Sequence, residues 1–148
     1  MAKINPYLMF DGNANEAFHF YKSVFGGEFA ALVRYGDMPA DPSHQLVESD
    51  AARIMHIALP IGNSDVLMAS DVPEKNRGEQ LVTGNRHSIS ISTGSKQEAD
   101  IIFRGLSQGG QVEMPIGDSP WGTYFGMVTD KYAIQWMVDF DPKNQPKS

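Results

Sequence analysis

Two histidines and a glutamine are the side chains of this sequence best suited to chemistry. His56 stands mid-run in Ile54-Met55-His56-Ile57-Ala58-Leu59, where an imidazole could hydrogen-bond a ligand or exchange a proton near neutrality. The plainer alternative is a structural histidine bonded to a backbone carbonyl or turned to solvent. His87 follows Gly84-Asn85-Arg86 at the start of another strand-like run, either as a ligand or as a solvent-facing residue. Gln135 lies between Ile134 and Trp136, and a polar residue in an apolar strand must face water or find a partner. Tyr7, Trp121, Phe125 and Trp136 could wall a small-molecule pocket, or equally fill a core or a dimer interface. Glu113 could serve as a base or stand as a lone exposed carboxylate. His19 and His44 carry no assigned role.

Other chemistries are excluded by composition. The 148 residues contain no cysteine, which removes disulfides, thiolate metal sites and cysteine nucleophiles, and fits a reducing cytoplasm. No serine–histidine–acid arrangement is recognisable, and Ser88, Ser90 and Ser92 alternate like the solvent face of a strand. No Gly-x-Gly occurs, so a nucleotide-type cofactor domain and S-adenosylmethionine binding are not expected. Twelve Lys+Arg against eighteen Asp+Glu give a formal charge of −6 without a basic patch, which argues against nucleic acid. The apolar run from Ile4 to Phe10 is broken by Asn5 and Pro6. It lacks a signal-peptide core, and no stretch offers the ~20 apolar residues of a membrane span. A cytoplasmic protein with no membrane contact is expected.

The elements that must position these residues follow from periodicity. Ile4–Phe10 predicts a strand, and Asp11-Gly12-Asn13 a turn, with Asn13 or Asn15 as helix cap. Ala14, Ala17, Phe18, Tyr21, Val24 and Phe25 recur at helical spacing, and Gly26-Gly27 ends that helix. Strands are predicted over Glu28–Tyr35, Arg53–Leu59 and Asp65–Ser70, with a long loop from Gly36 to Ala51. A second set comprises His87–Ser92, a helix over Lys96–Leu106, then strands Gln111–Met114, Tyr124–Thr129 and Ala133–Phe140. A Gly/Pro-rich loop through Trp121 divides the second set's strands.

The second set repeats the first. Glu16-Ala17 and Glu98-Ala99 open the two helices 82 residues apart, and Gly26-Gly27 and Gly109-Gly110 close them 83 apart. A single domain over residues 1–148 is therefore expected, made of repeats at about 4–71 and 86–140. A polar connector, 72–85, joins them, and a proline-bearing tail, 141–148, should fray.

This tandem βαβββ pattern resembles the vicinal oxygen chelate superfamily, which includes glyoxalase I, extradiol dioxygenases and bleomycin-resistance proteins. Three stretches resemble its PhnB-like (3-demethylubiquinone methyltransferase-like) branch. They are Pro6 to Asn13; Phe20-Tyr21 with Val24-Phe25-Gly26-Gly27; and Trp121-Gly122 through Phe125-Gly126, Thr129-Asp130-Lys131 and Trp136-Met137. The resemblance implies an α+β fold of curved, cup-like mixed sheets with a small-molecule pocket between them, and a homodimer.

It also implies where a divalent metal would bind, and this chain departs from that pattern. The first position falls near Asn5 or Tyr7, neither a good ligand for a transition metal. The second falls near Met68, where relatives carry a carboxylate. The third falls near Arg86 or His87, and His87 would serve. The fourth falls at Gln135, a weak neutral donor. No cofactor is therefore expected, with a metal disfavoured and His87 and Gln135 its weak candidates. The expected function is metal-free binding of a small organic molecule in a cup lined by Tyr7, His56, Met68, His87, Trp121, Phe125 and Gln135. Two alternatives stand beside it. One is a metal-dependent lyase, isomerase or dioxygenase with His56 or Gln135 catalytic; the other is a sequestering resistance-type protein that returns its ligand unchanged.

Overall fold

Helical and two-residue periodicities alternate along this chain, and the computed structural model resolves them into two units, residues 1–82 and 83–148. The structure describes residues 2–39, 46, 48–73 and 81–143. His44, the charge run Glu74-Lys75-Asn76-Arg77 and the end of the tail lie outside the described residues.

In the first unit, β1 (Tyr7–Phe10), α1 (Ala14–Phe25), β2 (Ala31–Arg34), β3 (Ile54–Ile61) and β4 (Asp65–Asp71) follow in order. The sheet runs β1-β4-β3-β2, with β1 parallel to β4 and the other pairs antiparallel. Helix α1 packs on β3 and β4 through Ala14, Ala17, Phe18 and Tyr21, which are fully buried. Ile57, Leu59, Leu67 and Ala69 meet it from the strands, also fully buried or nearly so. Burial of such apolar faces, at about 25 cal/mol per Å², is the main force holding sheet to helix.

The second unit repeats the plan: β5 (Ile89–Ser92), α2 (Lys96–Ser107), β6 (Gln111–Asp118), β7 (Tyr124–Thr129) and β8 (Gln135–Phe140), in sheet order β5-β8-β7-β6. Its core joins Ala99, Ile102, Phe103 and Leu106 of α2 to Val128, Trp136, Val138 and Phe140. Trp136 is core rather than pocket wall: it is 1% exposed, and its indole donates to Asp130 Oδ2 at 2.8 Å. The architecture is thus a tandem βαβββ arrangement, α+β, with a mixed four-stranded sheet in each unit.

Four local expectations are corrected. Neither Asn13 nor Asn15 caps α1 with its side chain. The Asp71 carboxylate, arriving from β4, accepts the N–H groups of Gly12 and Ala14 at 2.9 and 3.0 Å instead. Strand β2 starts at Ala31, not Glu28, because Glu28 pairs with Lys22 at 3.0 Å and Phe29 packs edge-on against His19. Strand β8 starts at Gln135, because Ala133 adopts φ 70 in the turn closed by Asp130. Strand β6 continues through Pro115 to Asp118, where a loop was expected. Proline is tolerated there because β6 is the sheet's edge and its pairing shifts register on both sides of Met114.

Gly126 shows how closely the second unit is packed. A Cβ at this position would lie 2.8 Å from both Ile116 Cα and Phe103 Cε2. Gly126→Ala is therefore expected to cost about 1–3 kcal/mol through overpacking, read as a lower urea midpoint at unchanged slope.

Candidate functional site

Side chains alternate across a strand, so the residues between those that meet α1 present the opposite face of the first sheet, open at Tyr7 and Met9 and buried at Ala58 and Ser70. Register lines them up in rows. Tyr7, Met68, Ala58 and Ala31 form one row. Met9 pairs with Ser70 in the next, and His56 with Val33. The open face thus gathers an imidazole, a phenol and a hydroxyl among thioethers and small apolar groups.

Those three polar groups are bonded in a chain whose direction can be assigned. The Ser70 hydroxyl lies 2.7 Å from the Met55 carbonyl, which can only accept, so Ser70 donates there. Ser70 Oγ is also bonded to the Tyr7 hydroxyl, and with its own proton committed it accepts from Tyr7. Tyr7 Oη lies 3.3 Å from His56 Nδ1, and the phenol's proton is already used, so Nδ1–H is the donor. In the neutral imidazole this fixes the Nδ1–H tautomer and leaves the Nε2 lone pair as an acceptor. The two rings stack with centroids 5.8 Å apart and planes 20° from parallel, which holds the imidazole's orientation.

Tyr35 adjoins this chain. Its hydroxyl donates to the Asp71 carbonyl at 3.0 Å. Burial first, then the negative charge of Asp71, holds its pKa above the ordinary phenol value, partly opposed by Arg53. The folded value lies above the unfolded one. The stability this contributes is thus fully present below about pH 10 and is lost as pH rises through the folded value. Unfolding free energy measured in urea across that range is expected to fall as pH rises, and to fall less in Tyr35→Phe.

The sequence-based candidates divide between the units. Tyr7, His56 and Met68 converge on the first sheet's open face. In the second unit Phe125 is register partner to Asp139, and Gln135 to Thr129 at the other end of the same strand pair. The Thr129 hydroxyl donates to Glu113 at 3.3 Å. Trp121, 62% exposed, meets the Phe125 ring edge-on at 5.6 Å. His87 is exposed two residues before β5. Ser70 joins Tyr7 and His56 without having been a sequence candidate, and its one readable signal is a hydroxyl beside Ala69 in an apolar strand.

The residues at the two implied metal positions of the first unit do not fit a divalent ion. In the first unit the register pair is a phenol and a thioether, Tyr7 and Met68, and the phenol is engaged with Ser70 and His56. Asn5 is engaged too, accepting the Val66 N–H at 3.2 Å. Among the described residues no three of His, Asp and Glu gather as a cation would need. No described helix is long and apolar enough to cross a membrane.

Paired βαβββ units, each with a helix on one sheet face and an open face opposite, are the architecture of one large family. The chain belongs to the Glyoxalase/Bleomycin resistance protein/Dioxygenase superfamily, whose model matches residues 3–138. Protein YjdN of Escherichia coli K12 is 28% identical over 97% of both chains. The crystal structure of protein PA1353 from Pseudomonas aeruginosa is 37% identical and superposes with a TM-score of 0.82, covering 95% of this chain and 98% of that one. The PhnB protein from Bacillus cereus is 27% identical, with a TM-score of 0.72 over 94% of this chain and 99% of its own. These relatives support the PhnB-like placement within the family.

Proposed function

We propose that this chain binds a small organic molecule on the open face of the first sheet, without a metal, by donating no proton and accepting one hydrogen bond at His56 Nε2. The observation that carries this reading is the directed chain from His56 through Tyr7 and Ser70 to the Met55 carbonyl. It commits Nδ1–H inward and leaves one acceptor for a hydroxyl or N–H of the ligand. Met9, Met68, Ala58 and Val33 supply the apolar surround, and thioethers adapt to irregular ligand shapes. The homodimer implied by the family resemblance belongs to the same reading and is checked by light scattering.

Two titrations of chelator-stripped protein test it. Phenol, a donor on an apolar ring, is expected to shift the His56 and Tyr7 resonances with no metal present. Zinc, nickel, manganese and iron(II) are expected to bind weaker than about micromolar, or ~8 kcal/mol. Tight stoichiometric metal binding that moves the His56 signals would overturn the reading. So would phenol binding that leaves His56 unmoved.

The same free Nε2 favours a second reading, in which His56 is a general base toward the bound molecule. Turnover of a glutathione hemithioacetal or a catechol, abolished by His56→Ala, distinguishes it. Recovery of the compound unchanged supports binding or sequestration alone.

A further inference from the structure

Protonation of His56 changes one atom of the His56–Tyr7–Ser70 chain and leaves the rest in place. The Met55 carbonyl can only accept, so Ser70 still donates to it and Tyr7 to Ser70. Nδ1–H therefore keeps donating to Tyr7 Oη, and the added proton goes to Nε2. The ring keeps its stack on Tyr7, and the nitrogen that accepts in neutral histidine becomes a charged donor. His56 is half-buried beside a Tyr7 that is 47% exposed, so the change occurs where a ligand can reach.

The fold supplies that imidazolium with no counter-ion. Tyr7 comes from β1, and Tyr35, just after β2, donates to the Asp71 carbonyl; phenols ionise far above neutrality. Arg34 reaches the Ala52 carbonyl, and Asp37 accepts the Arg34 N–H. Just before β3, Arg53 pairs with Asp11 and Asp50. At the end of β4, the Asp71 carboxylate is taken up by the N–H groups of Gly12, Ala14 and Ile54. Among the described residues no carboxylate pairs with the His56 ring.

We propose that the same face binds the carboxylate of an apolar organic acid when His56 is protonated, with one carboxylate oxygen accepting from Nε2–H. This second ligand class rests on the His56 reading and adds the protonation state that selects it. Charge-assisted hydrogen bonds are roughly twice as strong as neutral ones, and the acid supplies the anion that the fold does not. Met9 and Met68 offer either ligand the same apolar surround. A hydroxyl can donate or accept, so phenol suits both states of the ring. A carboxylate can only accept, so it suits the protonated one.

The test titrates benzoate and phenol into the protein between about pH 5 and 8, where histidine changes charge while benzoate stays ionised and phenol neutral. Benzoate affinity is expected to rise about tenfold per pH unit as pH falls toward protonation of His56, then level off. Phenol affinity should change less than about threefold over the same range. Benzoate binding at about pH 8 should take up about one proton per site, seen as heat that varies with the buffer's ionisation enthalpy. His56→Gln keeps a polar side chain and should flatten the benzoate profile. The other histidines remain in that variant, and proton uptake by the wild type stands as a test even if the variant fails to fold. Failure of phenol to bind at any pH overturns the His56 reading and the carboxylate site with it. Phenol binding at His56 together with a flat benzoate profile overturns the carboxylate site alone. So does a benzoate slope that persists in His56→Gln, or benzoate binding without proton uptake.

Discussion

Asp71→Ala is expected to destabilise the protein by about 3–5 kcal/mol, the largest effect of any single substitution considered. Asp71 is 1% exposed, and its two oxygens accept three backbone N–H groups. Oδ1 takes Gly12, in the turn before α1, and Ala14, an orphan donor of its first turn, and Oδ2 takes Ile54 at 2.8 Å where β3 begins. Alanine would leave all three donors buried or half-buried without a partner. Each loss costs roughly 1–3 kcal/mol, and the three are not additive because the helix start can relax toward water. For a chain of this size the shift in Tm should be about 10–20 °C. Asp71→Asn should fall between, since one amide end still accepts while its N–H₂ confronts a donor. Calorimetric unfolding of the three proteins checks the order. A loss below about 1 kcal/mol for alanine would show that the cap contributes little beyond water.

His56→Leu should weaken phenol binding by about 2 kcal/mol, roughly thirtyfold, because the ligand's donor would then be buried without an acceptor. Tyr7→Phe is the more telling variant. It keeps the stacked ring and deletes only the oxygen that accepts from Nδ1–H and donates to Ser70. The imidazole is then free to exchange tautomers, so Nε2 carries a proton part of the time and repels the ligand's donor. Affinity should fall several-fold, and imidazole ¹⁵N signals should move from the Nδ1–H pattern toward a mixture. Unchanged ¹⁵N signals in Tyr7→Phe would remove the tautomer argument, whatever happened to binding. Ser70→Ala tests the next link and should act in the same direction but more weakly.

Much of the fold was legible because the signals were local. The apolar spacing from Ala14 to Phe25 predicts a helix, and the helix occupies those same residues. Gly26 and Gly27, both at positive φ, stop it where a left-handed backbone excludes most other residues. Periodicity of this kind needs only neighbours within two turns. Strand ends were harder, because they are set by partners distant in sequence. Pro115 reads as a stop in isolation, yet on an edge with shifted register it continues the strand.

The candidate site divides along the same line. By itself the sequence determined the tandem βαβββ order and the superfamily resemblance. Each rests on residue type and spacing along the chain. Only the tertiary structure decided that Asp71 caps a helix 57 positions away, and that Tyr7, His56 and Ser70 form one directed chain. It alone left Asp139 Oδ1 without a hydrogen-bond partner among the described residues. The reason is physical: a one-residue change of register turns a strand's side chains to the other face. Hydrogen-bond direction and burial are therefore properties of paired strands, and no single strand contains them.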